Sequence, residues 1–444
     1  MDSSKTHIPT LRSIFRFWTP LAATWLMMSV EGPALTAVIA RLAEPKLNLA
    51  AFGVAFAFAL IVEAPVIMMM AASTALVRDR RTYLKLRNFN NFLNVAITLT
   101  MLAGLLPPAH RWLMVSVLGL NTDVAGLTWP ALALLLAWPG AIGIRRFYQG
   151  VLIRNGQTRK VASGTIIRLV TMACSAATLV IFTPLPGAAV GAGALSLGVS
   201  AEALVSYLFA RPLVARLLDG RLTEDLPNST GLRYRSIAVF YAPLALTSFL
   251  ALGIQPIVTF SIGYARFPLE SLAVLPVVHA LVFIFRAFGL AFQEVAIAHL
   301  GTELEGYVVL RRFALLLGMV AAASLGLIAW TPLSALWFEK VSGLTPELTR
   351  FAVPPVRVLF LMPALTVLIS FQRALAVHFN ATSHVTWASA LEVTGVVAGL
   401  GIGIAVFDLV GAVAAATALM LGRLAANTYL HRPLGGLVAR GLTR

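Results

Sequence analysis

The chain has 444 residues, of which 59% are hydrophobic and only 12% are charged, and its mean hydropathy is +0.86. A soluble protein of this length carries about 25% charged residues, so this composition excludes a soluble globular fold. The net charge of +16 does not indicate nucleic-acid binding, because the basic residues lie in short clusters between apolar runs, as in the cytoplasmic loops of membrane proteins.

Twelve apolar runs approach or exceed the roughly 20 residues that a helix needs to cross a bilayer. In chain order the predicted spans are 15–40, 48–76, 90–107, 126–146, 162–183, 187–210, 236–262, 269–299, 313–332, 351–372, 385–407 and 409–430. The sequence therefore predicts an all-α polytopic membrane protein with about 12 transmembrane helices.

The Lys and Arg residues are divided unevenly between the two sides of these spans. With the N-terminus in the cytoplasm, 25 of them fall on the cytoplasmic side and six on the outer side. Such a bias follows the positive-inside rule and predicts that both termini are cytoplasmic. We therefore expect a multi-pass protein of the inner (plasma) membrane.

The two halves of the chain resemble each other. The segment Phe-Trp-Thr-Pro-Leu-Ala at 17–22 returns as Phe-Tyr-Ala-Pro-Leu-Ala at 240–245, and Leu-Ala at 49–50 returns at 272–273. Trp-Pro at 138–139 returns as Met-Pro at 362–363, within one residue of the same offset. Six spans per half is an even number, so the repeat is parallel. We predict an N-terminal lobe at 1–213, a cytoplasmic loop at 214–235 and a C-terminal lobe at 236–444.

Motifs for bound cofactors and for catalysis are missing from the sequence. It contains no P-loop pattern, no metal-ligand spacing among its seven histidines and no legible Ser-His-Asp or paired-carboxylate arrangement. We therefore expect neither an enzyme nor a metal or organic cofactor. Gly395, Gly399 and Gly403 recur at every fourth residue, which predicts that another helix packs closely against this face.

Ionisable and polar side chains within the predicted spans are the candidates for function, because each is costly in lipid and normally faces a cavity or a partner. For Arg168, Glu202 and Glu392 a structural ion pair is the preferred explanation. The candidate residues of a substrate or ion pathway are Glu31, Glu63, Gln255, His279, Arg286, Glu294 and Arg357.

Two of these candidates suggest roles of their own. Glu31 lies between Pro20 and Pro33, where a kinked helix could admit water and let the carboxylate carry a proton. Glu63 and Arg286 are 223 residues apart and so occupy equivalent positions in the two halves. We predict that they form an ion pair between the lobes, and that Arg286 recognises the substrate.

A family resemblance accompanies these patterns. The segment Phe-Tyr-Gln-Gly-Val-Leu-Ile-Arg-Asn-Gly-Gln-Thr-Arg at 147–159 resembles the Gln-Gly-x-Leu-Arg-x-x-Gly-x-Thr segment of the multidrug/oligosaccharidyl-lipid/polysaccharide flippase superfamily, which includes the MATE exporters. A degraded copy, Phe-Gln-Arg-Ala-Leu, follows at 371–375. The sequence is most similar to the progressive ankylosis family of that superfamily in three segments: Arg16-Phe17 with Pro20-Leu21; Leu49-Ala50 with Phe52-Gly53; and Pro355-Val356-Arg357 with Pro363.

This resemblance implies two six-helix lobes around a central cleft, alternating access and export. We expect a secondary active exporter, acting as a monomer in the bilayer, of small organic or phosphorylated anions such as citrate, a nucleotide or pyrophosphate. The alternatives are an H⁺- or Na⁺-coupled MATE exporter of cationic drugs, a lipid-linked saccharide flippase, and a membrane scaffold or embedded enzyme. The charge that lines the cleft distinguishes the transporters, because anions require uncompensated arginine and cations require acidic walls.

Overall fold

The structure, a computed structural model, describes residues 10–219, 233–301, 303–379, 381 and 383–442. Nearly all of these residues are helical. The α-helices are α1 (Leu11–Ser29), α2 (Glu31–Ile39), α3 (Pro45–Glu63), α4 (Met69–Leu76), α5 (Arg80–Leu105), α6 (Pro107–Arg111), α7 (Thr122–Leu134), α8 (Trp138–Arg154), α9 (Thr158–Phe182), α10 (Gly187–Leu218), α11 (Tyr234–Ile262), α12 (Pro268–His299), α13 (Tyr307–Trp330), α14 (Leu333–Ala335), α15 (Pro346–Leu359), α16 (Met362–His378), α17 (Ser383–Ala405) and α18 (Gly411–Leu442).

Each of the twelve predicted spans coincides with one helix or with two helices in series. The pairs α1–α2, α3–α4, α7–α8 and α15–α16 are broken spans, and the other eight are single helices. Within the described residues, nine spans are long and apolar enough to cross a bilayer unaided, and α5 with the bent α6 makes a tenth. α18 carries Arg423 and Asn427 among its apolar residues, which lowers its hydropathy. The predicted polytopic α-helical fold is confirmed.

The internal repeat is visible in the backbone. α3 and α12 both begin with proline, and each follows a left-handed residue, Glu44 (φ 49°) or Phe267 (φ 50°), 223 positions apart. Two six-residue π-helical turns, Trp112–Val117 and Leu336–Val341, also match, at an offset of 224. The two halves therefore share not only short sequence motifs but also the backbone conformation of residues at equivalent positions.

Packing contacts divide the chain into two compact units. One unit is Val38–Gly263, and the other combines Met1–Ala37 with Tyr264–Arg444. These boundaries differ from those predicted from the sequence, because the first helix of each half packs in the unit of the opposite half. α1 therefore belongs with α12 to α18, and α11 belongs with α3 to α10.

Aromatic side chains hold both exchanged helices in place. On α1, Trp18 packs against Phe288 and Phe313, and its indole N–H donates to the carbonyl oxygen of Phe288 at 3.2 Å. On α11, the ring of Tyr241 meets Phe89 edge-on at 5.4 Å, and its hydroxyl donates to the carbonyl oxygen of Pro65. Both rings are buried, so each exchanged helix contributes to the core of the unit that it joins.

Small residues let α17 and α18 pack closely. A Cβ placed on Gly395 would lie 3.1 Å from the Cα of Gly422, and one placed on Gly399 would lie 3.0 Å from the Cα of Ala418. Gly403 faces Ala414 one turn further along the same helix face. The glycine stripe packs against a neighbouring helix, as predicted from its four-residue spacing.

Candidate functional site

A buried carboxylate organises the polar centre of the Val38–Gly263 unit. Glu202 on α10 is 1% exposed, and its Oε2 accepts from Nη1 of Arg145 on α8 at 2.6 Å and lies 3.4 Å from Nε of Arg168 on α9. Its other oxygen accepts from Gln149 at 3.1 Å and from Thr165 at 3.3 Å. These five residues form the Glu202 cluster, in which one acid holds three helices together.

Two further charged side chains act on this cluster. Glu63, at the end of α3, is 3% exposed, and its Oε2 has no hydrogen-bond partner among the described residues. It interacts electrostatically with Arg145 and with the half-buried Arg146. Arg146 donates from Nη1 to the sulfur of Met70 at 3.8 Å, which is a weak acceptor. Three arginines therefore face two glutamates in this unit.

The other unit has a corresponding polar centre on α12, α16, α17 and α18. Nη2 and Nε of Arg423 donate to the same oxygen of Glu392, at 2.7 and 2.9 Å. Arg286 on α12 donates from Nε to the hydroxyl of Thr366 at 3.3 Å and interacts electrostatically with Glu392, Arg423 and Arg373. We call these five residues the Glu392 cluster. Its three arginines face one glutamate.

The two clusters lie on equivalent helices but exchange acid and base. Arg168 on α9 and Glu392 on α17 are 224 residues apart, which is the offset of the repeat. Their partners, Glu202 and Arg423, lie three residues from that register and so remain on the same face of their helices. The ion pairs expected for Arg168, Glu202 and Glu392 are confirmed.

The structure brings together only some of the candidates from the sequence. Glu63 joins the charges of one unit, and Arg286 those of the other, where it also interacts with His279. Glu31 is half-buried at the first turn of α2, and Gln255 is half-buried on α11. The pair between Glu63 and Arg286 stays a prediction.

Two candidates lie apart from the clusters. Glu294 is exposed on α12, and its place in a substrate or ion pathway stays a prediction. Arg357 is also exposed, and it donates to the carbonyl oxygen of Ala329 at 3.1 Å while its guanidinium covers the Trp330 ring at 5.2 Å. These contacts hold Arg357 against the end of α13, and its place in a pathway stays a prediction.

Four arginines that count toward the predicted cytoplasmic side lie within helices and not in loops. Arg145 and Arg146 lie in the middle of α8, Arg373 lies in α16, and Arg423 lies in α18. The apolar run ends at Arg146 and just before Arg373, but the helix continues in both places. Arg145 and Arg423 form ion pairs with the buried Glu202 and Glu392. Glutamine at 149 and again at 372 was the one signal of a paired polar site, since it repeats within the register of the halves.

Each of the two polar centres has more guanidinium groups than carboxylates. Among the described residues, Arg146, Arg286 and Arg373 have no carboxylate within ion-pair distance, whereas Glu202 and Glu392 are already held by other arginines. A guanidinium that lacks a carboxylate can form charge-assisted hydrogen bonds with an anion, and this is the chemistry that each centre offers. No group of three or more His, Cys, Asp or Glu residues in the described part of the chain could hold a metal ion.

Comparison with known proteins identifies the fold. Neither a protein-family model nor a curated protein matches the sequence. An inward-facing multidrug resistance MATE family transporter of the MOP superfamily matches with a TM-score of 0.72 at 15% identity, covering 94% of this chain and 98% of that one. Its outward-facing conformation matches with a TM-score of 0.64 at 15% identity, over 100% of both chains.

A lipid carrier shares this fold. The lipid II flippase MurJ, in an inward closed conformation, matches with a TM-score of 0.68 at 10% identity, covering 96% of this chain and 90% of that one. The resemblance to the progressive ankylosis family stays a prediction. The chain is a multi-pass membrane protein with the fold shared by the MATE transporters and the MurJ flippase of known structure.

Proposed function

We propose that this protein is a secondary active exporter of small organic or phosphorylated anions that works by alternating access. The surplus of guanidinium groups at membrane depth is the single observation that carries the proposal. Citrate, nucleotides and pyrophosphate belong to this class of substrate. Each has several negatively charged oxygens that can accept hydrogen bonds from guanidinium groups. The transport function itself is supported by the fold, since the structural neighbours are named as transporters and a flippase.

Arg286 and Arg373 are the residues we assign to the substrate. Glu392 accepts two hydrogen bonds from Arg423, which leaves Arg286 with a neutral hydroxyl, that of Thr366, as its hydrogen-bond partner among the described residues. A neutral acceptor does not compensate a guanidinium charge. An anion that enters the cleft would supply that compensation, and its departure would restore the cost of the bare charge.

Glu63 is the residue we assign to the coupling step. It faces Arg145 and Arg146 without an ion-pair contact in the described part of the chain, so its charge adds to the electrostatic balance of the Glu202 cluster. Binding of H⁺ or Na⁺ to a carboxylate in this position would change that balance. Glu31, half-buried at the break between α1 and α2, is a second carboxylate for the same role.

Transport by purified protein in proteoliposomes tests the assignment of Arg286. A panel of labelled citrate, ATP, pyrophosphate and organic cations is offered to the parent, to Arg286→Ala and to Arg312→Ala, an exposed arginine on α13. We expect Arg286→Ala to lose anion transport by about 10-fold or more, the loss of a charge-assisted hydrogen bond, while Arg312→Ala matches the parent. Equal anion transport by Arg286→Ala, or transport of cations alone by the parent, would contradict the proposal.

A charge swap tests the predicted partnership of Glu63 with Arg286. Either single reversal places like charges at membrane depth, so Glu63→Arg and Arg286→Glu are both expected to reduce the yield of folded protein. If the two side chains pair in one access state, the double variant recovers more folded protein than either single variant. A double variant with the summed defect of both singles would show that they do not interact.

A lipid-linked saccharide flippase is the second candidate, favoured by the likeness to MurJ. A lipid-linked phosphate is also an anion, so the arginines alone do not separate the two functions. A flippase requires the acyl chain for transport. Transport of water-soluble anions that carry no lipid would therefore favour the exporter, and movement of lipid-linked substrates alone would favour the flippase.

A further inference from the structure

A cavity lies on the side of the Val38–Gly263 unit, between α5, α8 and α10. Its volume is about 750 Å³, within the range of small-molecule sites. One wall is a polar stripe on α5, formed by Arg87, Asn90, Asn94 and Thr98, which are spaced by three or four residues and therefore share one helix face. Neither the Glu202 cluster nor the proposed transport mechanism uses these residues.

The two central asparagines are buried without hydrogen-bond partners. Asn90 is 2% exposed and Asn94 is 9% exposed, and among the described residues Oδ1 of Asn90 and both side-chain polar atoms of Asn94 have no partner. Beside the cavity, α8 packs directly on α5 through Gly143, because a Cβ on this residue would overlap Oδ1 of Asn94. Unpaired amides are costly at membrane depth, so they indicate a ligand with hydrogen-bonding groups.

The fold itself does not require this stripe. The equivalent helix in the other half, α13, contains no asparagine, whereas α5 contains Asn88, Asn90, Asn91 and Asn94. The two helices otherwise occupy the same position in the repeat. Because α13 folds in the same place without asparagine, the asparagines of α5 are not needed for the fold. We explain them by a ligand that binds to α5.

The residues around the cavity are basic at one end and apolar at the other, as the two ends of a lipid are polar and apolar. Arg87 lies in the second turn of α5, just after the basic residues Arg80 and Arg81 that begin the helix. Deeper along the helix, Val95 and Leu99 are each 58% exposed, as is Leu204 on α10. The distance from Arg87 to Leu99 is about 18 Å along the helix, comparable with the roughly 15 Å hydrocarbon depth of one leaflet.

We propose that this cavity binds one membrane phospholipid. The Arg87 guanidinium binds the phosphate, Oδ1 of Asn90 accepts from a hydroxyl of the glycerol headgroup, and Nδ2 of Asn94 donates to an ester carbonyl oxygen. The acyl chains lie along the exposed apolar side chains of α5 and α10. A lipid satisfies all three parts of the cavity in the order in which the helix presents them: charge, then amide, then hydrocarbon.

Binding of palmitoyl-oleoyl phosphatidylglycerol to the full-length purified protein, counted by native mass spectrometry, tests the proposal. The double variant Asn90→Leu/Asn94→Leu is compared with Asn88→Leu, an exposed position on the same helix outside the cavity. We expect the double variant to bind about 10-fold more weakly, because two hydrogen bonds to the lipid are lost, and Asn88→Leu to match the parent. Equal binding by the parent and the double variant would overturn the proposal.

Two further arms separate the parts of the ligand. Arg87→Gln should remove the preference for phosphatidylglycerol over diacylglycerol, which has no phosphate. Glycerol 3-phosphate, which has the phosphate but no chains, should fail to displace the lipid; its displacement of the lipid would assign the cavity to a soluble phosphate instead.

A measurement on the unmodified protein guards against variants that fail to fold. A phosphatidylglycerol with a diazirine in its acyl chain is photo-crosslinked to the parent protein in membranes, and the labelled peptides are mapped. We expect labelling concentrated on α5 and α10 near Leu99 and Leu204. Labelling spread evenly over all lipid-facing helices would show that the lipid surrounds the protein without occupying a specific site, and this would contradict the proposal.

Discussion

Replacing Glu202 by glutamine removes the one negative charge of the Glu202 cluster while keeping the shape of the side chain. The carboxylate accepts from Arg145, Gln149 and Thr165, forms an ion pair with Arg168 and is 1% exposed. Glutamine can still accept through its amide oxygen, but it removes the ion-pair partner of Arg145 (5% exposed) and Arg168 (6% exposed), so that Glu63 is the acid that still acts on Arg145. Removing one partner of a buried pair costs about 3–5 kcal/mol, chiefly because the other charge is stranded.

An exposed pair in the same protein provides the matched control. Arg266 and Asp408 form an ion pair at 3.3 Å, but their side chains are 54% and 72% exposed. Such surface pairs contribute about 0–1 kcal/mol. Asp408→Asn is the same chemical change as Glu202→Gln, so the difference between the two variants isolates the effect of burial.

Equilibrium unfolding of the purified protein in mixed detergent micelles measures both variants. We expect Glu202→Gln to lower the free energy of unfolding by about 3 kcal/mol more than Asp408→Asn does. Adding Arg145→Met to Glu202→Leu should recover part of the loss, because a buried pair replaced by apolar side chains is often tolerated, although Arg168 stays stranded. Equal losses from Glu202→Gln and Asp408→Asn would refute the structural role assigned to the cluster.

Three further predictions concern topology, coupling and packing. Single cysteines at positions 82, 156 and 226 in a cysteine-free background should react only from the cytoplasmic side, as the distribution of basic residues predicts. Position 226 lies outside the described residues. Its labelling from outside intact cells would overturn the two-lobe topology. Glu31→Gln should abolish gradient-driven transport but leave substrate exchange, whereas unchanged uphill transport in proteoliposomes would remove Glu31 from the coupling step. Gly399→Val should lower the unfolding free energy by about 1–3 kcal/mol, since a Cβ there already lies 3.0 Å from Ala418, while Gly401→Val, with nothing within 4 Å, should match the parent in the same unfolding assay.

The order and extent of the spans could be predicted from the sequence because the bilayer leaves few alternatives. A run of apolar residues in lipid must satisfy its backbone internally, so its length and composition determine that it is a helix. The repeat was legible because short motifs with proline recur at equivalent places, at 20 and 243 and at 139 and 363. The structure adds a second kind of match, since α3 and α12 both begin with proline after a left-handed residue. Local chemistry specified these features completely.

The candidate site was predicted less well, because hydropathy does not report where a side chain points. Arg145 and Arg146 are adjacent in the chain and look like a cytoplasmic cluster, yet Arg145 is buried against Glu202 on a helix 57 residues away. Glu294 also lies inside an apolar run, yet it is exposed on α12 and belongs to neither cluster. Only tertiary packing pairs such charges, and one sequence contains no information on which helices become neighbours.

The exchange of α1 and α11 between the units has a consequence for biosynthesis. When the ribosome has released the first half of the chain, the unit that begins at Val38 still lacks α11, and α1 has already been inserted without the helices it will pack against. Neither core can therefore close until the translocon has delivered the second half, and the two units must mature together. Fragments divided in the segment between α10 and α11 should be unstable when expressed alone, but should complement each other when expressed in the same cell, because each fragment carries the helix that the other requires.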